Sequence, residues 1–232
     1  MKKKIIALTL AAVLLMIAVV GGTYAYLKDT DGAKNVMTVG NVMIEQIETM
    51  KDGTAFVNNT QKLIPAEYTA TPVEGTDGLL EGVDNEIDKF VSVKNTGTEA
   101  AYIRTIFLFE ADGGNADAID VVHYSDDQSL VWSGFTVTID SVIYHVAYAT
   151  YANPVAKNDT TAYSLKQLYL DNNAGNEWYE AVNGSYDIYA FSQAVQSEGF
   201  ENADEALTAA FGELNAANVV AWFNTVDFTP AP

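Results

Sequence analysis

The chain of 232 residues carries 31 acidic against 12 basic residues, so its formal net charge at pH 7 is −19. Such a charge repels phosphate backbones and anionic lipid, which argues against nucleic acid and anionic membrane surfaces as partners. Cysteine is absent, which excludes disulfide stapling and thiol chemistry. A composition that is 49% hydrophobic and 11% aromatic is typical of a globular chain.

The first 25 residues have the layout of a secretory signal peptide. Three lysines precede a long apolar run, and small residues follow it. Cleavage after Ala25 fits best, with Thr23 at position −3 and Tyr26 as the new N-terminus. It would leave a single domain, residues 26–232, with 9 basic and 31 acidic residues and a net charge of −22. The alternative is an uncleaved anchor, because the uncharged stretch is long enough to cross a hydrocarbon core of about 30 Å.

Most of the remaining sequence predicts β-strands, since runs rich in Val, Ile, Thr, Tyr and Phe alternate with clusters of Gly, Asn and Asp. The stretch from Val36 to Ile47 is largely apolar on both faces, so it needs cover on both sides or a partner strand. Residues 49–84 contain several glycines and prolines and predict a long surface connection with at most short strands.

Two hairpins and a late strand are predicted beyond this connection. Residues 88–95 and 100–110, joined by an Asn-Thr-Gly-Thr turn, form the clearest hairpin pattern of the chain. Residues 134–140 and 141–151 predict a second hairpin. A late strand is predicted within residues 184–196.

One helix is predicted, in the sequence ENADEALTAAFG. Asn202 caps its first turn, Glu205 completes a capping-box-like pair, and Gly212 ends it. Many short strands with one helix and no βαβ alternation predict a mainly β fold. We expect an antiparallel, jelly-roll-like β-sandwich with a short helical insertion near the C-terminus, preceded by the N-terminal signal helix.

No residue pattern predicts a catalytic centre. His123 and His145 are the two histidines, and neither has the H-E-x-x-H spacing of a common zinc hydrolase. We therefore expect structural histidines and no cofactor, with a zinc site on these two residues and a distant carboxylate as the alternative. Oxygen-rich segments such as Asp29 to Gly32 do not meet the calcium-loop template, so solvated turns are expected there.

Two further features have structural explanations. Arg104 lies in an apolar strand, where a charge is expected at an edge or rim. A series of tyrosines could form a sugar-binding platform, although aromatic residues of strands more often belong to a core. The series comprises Tyr144, Tyr148, Tyr151, Tyr163 and Tyr169.

Three segments resemble one known family. The segment GGTYAYLKDTDGAKNVMTVGNVMIE is similar to the N-termini of exported proteins that the dedicated signal peptidase SipW processes. The segment DKFVSVKNTGTEAAYIR is similar to a strand, turn and strand of the same proteins, and AFSQAVQSEGFENADEALTAAFG to their late segment and helix. On these segments the chain resembles the TasA and camelysin-like proteins of Gram-positive bacteria.

The resemblance implies a secreted, non-enzymatic jelly-roll protein of the extracellular matrix or cell surface, which in the best-known members assembles into biofilm matrix fibres. In the TasA branch, the N-terminal segment freed by cleavage completes the sheet of the next subunit. Here that donor segment would span residues 26–47, with alternate side chains filling pockets of the neighbour. The expected pocket residues are Val36, Val39, Val42 and Ile44.

Other copies of the chain and the signal peptidase are then the expected partners, and membrane contact is limited to the uncleaved signal segment. Two alternatives stay open. Camelysin members have been labelled metalloproteases, which would make the chain a cell-surface protease, although it shows no zinc signature. The tyrosine series leaves a monomeric surface adhesin or carbohydrate-binding module as the third hypothesis.

Overall fold

The structure is a computed structural model that describes residues 28–32, 42–57, 63–111, 122–127, 130–174, 186–226 and 228. Within these ranges the chain is mainly β, with antiparallel sheets and two helices near the C-terminus. No helix in this part of the chain is long and apolar enough to span a membrane.

The elements follow one another as a long series of strands before the helices. The strands are β1 (Lys28–Gly32), β2 (Ile44–Thr49), β3 (Val73–Glu74), β4 (Leu80–Glu81), β5 (Ile87–Asn95), β6 (Ala101–Glu110), β7 (Val122–Ser125), β8 (Val131–Ile139), β9 (Val142–Thr150), β10 (Leu165–Leu170) and β11 (Ile188–Gln196). The helices are α1 (Ala203–Phe211) and α2 (Ala216–Phe223).

Two large sheets pack face to face. One has the strand order β1-β11-β6-β9-β8 and the other the order β2-β5-β10-β7, while β3 and β4 form a small separate hairpin. Their inner faces share apolar clusters, in one of which Phe107 of β6 lies with Val91 of β5 and Leu165 of β10. Since strand residues alternate between the two faces, each sheet contributes every second side chain to this core.

The helices cover the outer face of the five-stranded sheet. Strand β6, at the centre of that sheet, has nine of its ten residues buried. Ile106 and Leu108 share a cluster with Val219 of α2, and Tyr102 shares one with Leu207 of α1. A central strand covered on both faces is largely apolar, which explains why Ala101 to Phe109 is apolar except at Arg104 and Thr105.

The predicted hairpin of residues 88–95 and 100–110 is wrong. Strand β5 belongs to the four-stranded sheet and β6 to the five-stranded sheet, so the connection between them crosses the sandwich. The Asn95 side chain holds this crossing: its Nδ2 donates to the carbonyls of Glu99 and Val155, both at 2.8 Å, and its Oδ1 accepts from the Gly97 N–H at 2.9 Å. An Asn-Thr-Gly sequence suits such a side-chain-supported turn as well as a hairpin.

The second hairpin and the late strand are confirmed. Strands β8 and β9 pair antiparallel around Asp140 and Ser141, whose φ angles of 49° and 72° lie in the left-handed region. That conformation at both central residues is typical of a two-residue hairpin turn. Strand β11 lies within the residues predicted for the late strand.

Helix α1 begins and ends as predicted. Asn202 Oδ1 accepts from the Glu205 N–H at 2.9 Å, the Glu205 carboxylate accepts from the Glu201 N–H at 2.9 Å, and Gly212 has a φ of 87°. Helix α2 was not predicted, although Asn215 caps it in the same way by accepting from the Asn218 N–H.

Replacing the α1 cap is expected to weaken the fold measurably. The substitution Asn202→Ala removes the acceptor for an N–H of the first turn, which should lower the free energy of unfolding by about 1 kcal/mol. Urea unfolding followed by circular dichroism measures this difference. Asn202→Asp keeps an acceptor and should stay within a few tenths of a kcal/mol of the parent; equal losses in both variants would contradict the capping role.

Beyond the end of β2 at Thr49, the described residues of the 49–84 stretch contain only the short strands β3 and β4, as expected for a surface connection. Two polar side chains of β10 fix the β3–β4 hairpin in place. Lys166 Nζ donates to the Asp77 carbonyl at 2.8 Å, and Gln167 Oε1 accepts from the Leu80 N–H at 2.8 Å. The hairpin is therefore held against the outer face of the four-stranded sheet.

Candidate assembly site

Strand β1 forms one edge of the five-stranded sheet. It pairs antiparallel with β11, and the register places Lys28 opposite Val195, Thr30 opposite Gln193 and Gly32 opposite Phe191. The first strand in the described part of the chain thus completes a sheet whose other strands all come from residues beyond 100. This edge is the part of the described structure that matches a donor strand.

The composition of β1 explains why the sequence did not reveal it. Its sequence, Lys-Asp-Thr-Asp-Gly, contains aspartate and glycine, which are depleted in strands. The expectation that Asp29 to Gly32 forms a solvated turn is wrong, because these residues pair with β11 through a regular antiparallel register. Charged residues on an edge strand also oppose the addition of a further strand, so the sheet ends at β1.

Strand β11 needs a partner at this edge. The segment opposite β1, from Phe191 to Val195, is buried at every position. An uncovered edge would present unpaired main-chain N–H and C=O groups beside these side chains. Strand β11 is therefore an acceptor for one more strand, and β1 fills that place within the chain.

A buried polar network lies behind the same segment of β11. The Ser192 hydroxyl donates to Gln46 Oε1 at 2.8 Å and lies 3.0 Å from the Thr105 hydroxyl, while Gln46 Nε2 donates to the Ala190 carbonyl at 3.0 Å. These bonds join β2 of one sheet to β6 and β11 of the other. Because a slip of β11 by one residue would leave these groups unpaired, the network fixes the register of the acceptor strand.

The structure describes two of the four residues that were predicted to fill pockets of a neighbour. Val42 and Ile44 are almost fully buried in their own subunit, in a cluster with Val93 and Ile103. Fully burying one such side chain contributes about 1.5–3 kcal/mol, so donating both to a neighbour would empty a core site of the donor. Val36 and Val39 lie outside the described residues, as do the signal-cleavage residues Thr23, Ala25 and Tyr26.

Arg104 is not at a rim, and that expectation is wrong. It lies on the central strand β6, about 5% exposed, beneath the two helices. One guanidinium nitrogen donates to Gln193 Oε1 at 2.5 Å, and the group lies 5.3 Å from the centre of the Trp222 ring. Burial lowers the pKa of Arg104 to about 10, so the side chain stays charged at neutral pH and relies on the amide and the ring for stabilisation.

Glu110, at the end of β6, makes the stability of the fold fall as the pH rises above the acidic range. Burial raises the pKa of its carboxyl, and the Asp187 carboxylate acts in the same direction, although the Asp187 N–H donates to it at 2.9 Å. A carboxyl with a raised pKa favours the protonated folded state. Its contribution to stability is therefore present below its ordinary pKa of 4.5 and is lost as the pH rises through the folded value.

The substitution Glu110→Gln is accordingly expected to raise stability at pH 7. The amide oxygen can still accept from the Asp187 N–H, and no charge has to be buried. The difference in stability between this variant and the parent should shrink as the pH falls toward 4.5. The urea midpoint of each protein, determined at each pH, measures this difference. Glu99→Gln removes the same charge from an exposed position and should show a smaller pH dependence; equal behaviour of the two variants would contradict the role of burial.

The two histidines do not form a common metal site. His123 lies on β7 of the four-stranded sheet, with Nε2 3.3 Å from an Asp171 carboxylate oxygen. His145 lies on β9 of the other sheet, where burial lowers its pKa. Among the residues that the structure describes, no group of three or more His, Asp or Glu side chains could hold a metal ion.

The tyrosines do not form one platform either. Tyr144, Tyr151 and Tyr169 are buried, and they belong to three different apolar clusters. Tyr148 packs beside the cluster of Tyr144, and Tyr163 is the exposed member. Core packing therefore accounts for most of the series, as it does for most aromatic residues of strands.

The edge formed by β1 and β11 is thus the feature with the clearest potential for assembly. Comparisons of the chain with protein-family models, with curated proteins and with solved structures found no match.

Proposed function

We propose that the chain is a secreted structural protein that assembles into extracellular biofilm matrix fibres by exchange of β1 between subunits. In this proposal the two sheets form a jelly-roll-like sandwich whose last place, beside β11, is filled by β1 of another copy. Main-chain hydrogen bonds supply the affinity, as in other cases of strand addition. Each subunit both donates and accepts, and such a heterologous contact propagates without closing.

The observation that carries the proposal is the pairing of β1 with β11. Strand β1, whose residues have low β-propensity, covers the edge of β11, where every residue from Phe191 to Val195 is buried. The same pairing can form within a chain or between two chains, so exchange replaces one set of hydrogen bonds by an identical set. Domain swapping of this kind is a low-cost route to association.

The length of the chain between β1 and β2 permits the exchange. Residues 33–41 separate Gly32 from the buried Val42. Nine extended residues span at most about 30 Å, which is comparable to the width of a small domain. Strand β1 can therefore reach a neighbour while Val42 and Ile44 keep their places in the donor's own core.

Two conditions of assembly follow from the charge and from the signal segment. A mature chain with a net charge of −22 repels its own copies, so filaments should form more readily in acid or in salt. Before cleavage after Ala25, β1 is attached to the apolar signal segment, which restricts its donation. An N-terminal extension is expected to block assembly in the same way.

A pair of cysteines tests the exchange directly, because the chain has none of its own. The register places Asp29 opposite Ala194, and facing residues of antiparallel strands are close enough for a disulfide. Chains that begin at Tyr26 and carry either Asp29→Cys or Ala194→Cys are given tags of different size, mixed, assembled and then oxidised. We expect a disulfide between the two different chains in filament samples, and only traces of it in monomer samples.

The double variant, with both cysteines in one chain, supplies the matched control. Oxidised as a monomer, it should form the bond within the chain and yield no filaments by electron microscopy; reduction should restore them. Filaments from the locked double variant, or mixed filaments without the bond between chains, would contradict exchange of β1. A chain that stays monomeric from acid to neutral pH and in salt would contradict fibre formation itself.

A further inference from the structure

A groove lies at the side of the sandwich opposite to β1. Strands β7 and β8 are the edge strands there, one from each sheet, whereas β1 and β2 are the edges at the other side. The groove, of about 450 Å³, is lined by Tyr124 and His123 of β7, Trp132 of β8, Tyr169 of β10 and Glu74 of the β3–β4 hairpin, among others. This volume falls within the range of about 300–1,000 Å³ that is typical of small-ligand sites.

Neighbouring side chains fix the rings of the groove. His123 stacks on Tyr169, with ring centres 4.8 Å apart, and its Nε2 lies 3.3 Å from an Asp171 oxygen. Trp132 packs on the buried Phe109 at 5.1 Å and lies edge-on to Tyr124 at 6.0 Å. The rings are therefore held in place before any ligand arrives, which limits the entropy lost on binding.

The charges around the groove are negative. No lysine or arginine is among its lining residues, and the exposed Glu74 contributes a carboxylate. Asp171 adds a second carboxylate beside His123. The Lys166 ammonium lies beside Gly78 of the hairpin, near a Glu74 carboxylate oxygen, and offsets part of this negative charge. Because Lys166 also pairs with Asp127 and donates to the Asp77 carbonyl, the acidic groups still outnumber it. The groove thus disfavours phosphate or carboxylate ligands and favours a neutral or cationic one.

We propose that this groove binds a glycan that carries free amino groups, such as an oligomer of β-linked glucosamine. Aromatic rings offer apolar faces to the carbon–hydrogen faces of sugar rings, and the ring faces and Glu74 attract the ammonium groups. Charge complementarity selects this ligand among glycans. A peptide strand is the poorer fit, since β7 has only four residues with which to pair and the nine residues of β8 are interrupted by an irregularity between Trp132 and Thr136.

The site goes beyond the proposed fibre function and does not depend on it. The groove and β1 lie on opposite sides of the sandwich, so binding should survive in the monomer, and assembly should survive the loss of the groove. The two proposals therefore fail separately.

Binding is tested with the chain that begins at Tyr26, kept monomeric by the Asp29–Ala194 disulfide. Isothermal titration uses a glucosamine hexamer, its fully N-acetylated counterpart and trilysine as probes. We expect the glucosamine hexamer to bind at least roughly tenfold more tightly than the acetylated hexamer, with an affinity that falls as salt is added. Trilysine should neither bind comparably nor displace the glycan.

Two pairs of variants, each a test and its control, connect the binding to the groove. Trp132→Ala should weaken binding of the glucosamine hexamer roughly tenfold, whereas Trp132→Phe keeps an aromatic face and most of the affinity. Glu74→Gln should weaken binding and reduce its salt dependence, while Glu81→Gln removes an exposed acid of the same hairpin outside the groove and should change neither. Because Glu74 and Glu81 are both exposed, these two substitutions test the groove without disturbing the fold.

Equal affinity for the two hexamers would overturn the proposal, because the amino groups would then make no contribution. Displacement by trilysine at equal concentration would overturn it in favour of a basic peptide. Failure of the glucosamine hexamer to bind, or equal effects of Glu74→Gln and Glu81→Gln, would show that the groove does not take this ligand.

Discussion

A chain that begins at Ala33, and therefore lacks β1, is expected to form no filaments and to shorten those of the parent chain. It has no strand to donate, but its β11 edge can still accept β1 from another subunit. Each truncated chain that joins a filament should end its growth at that point. Filament lengths, measured by electron microscopy, should fall as the fraction of truncated chain in the mixture rises.

A synthetic peptide of residues 26–33 provides the complement to this truncation. Added to the truncated chain, it should occupy β11 and raise the urea midpoint, since the peptide binds the folded state alone. The same peptide with both Thr30→Pro and Asp31→Pro should have little effect, because successive N–H groups of a strand point to opposite sides and one of the two lost donors therefore faces β11. Normal filaments from the truncated chain would contradict the donor role of β1.

The substitution Phe107→Ala is expected to produce the largest loss of stability of any single change considered. Phe107 is fully buried at the centre of β6, in the cluster that both sheets share. Truncation of a buried phenylalanine costs about 3–5 kcal/mol through lost transfer free energy and the cavity left behind. That loss is a large part of the 5–15 kcal/mol that typically stabilises a domain.

Urea unfolding monitored by tryptophan fluorescence measures the loss at Phe107. Val131→Ala supplies the control, because Val131 lies on the edge strand β8 with nearly half of its surface exposed. Its effect should stay within about 0.5 kcal/mol, as for most surface substitutions. Similar losses at the two positions would contradict the placement of the shared core between the sheets.

Features with local causes were predictable from the sequence. Helix α1 depends on Asn202, Glu205 and Gly212, which lie within eleven consecutive residues. The β8–β9 hairpin depends on two adjacent turn residues, Asp140 and Ser141. In both cases the residues that determine the structure are neighbours in the chain, so propensity and turn chemistry suffice.

Features that depend on distant residues were not predictable in the same way. The Asn95 turn joins strands of different sheets because its side chain bonds to the carbonyl of Val155, sixty residues away. Strand β1 has a composition unfavourable to strands, and only its pairing with β11 makes it one. The groove likewise combines side chains from β7, β8, β10 and the β3–β4 hairpin, and no single segment carries its pattern.

In the proposed assembly, the short connection between β1 and β2 would also set the concentration at which subunits join. Because Val42 is anchored in the core, β1 is held close to its own acceptor at an effective concentration on the order of millimolar, as for other short linkers. When the subunit concentration is below this value, pairing of β11 with the β1 of its own chain is favoured over pairing with the β1 of a neighbour. On this proposal, β1 would inhibit polymerisation of its own chain, and lengthening residues 33–41 should weaken that inhibition and lower the critical concentration for filaments.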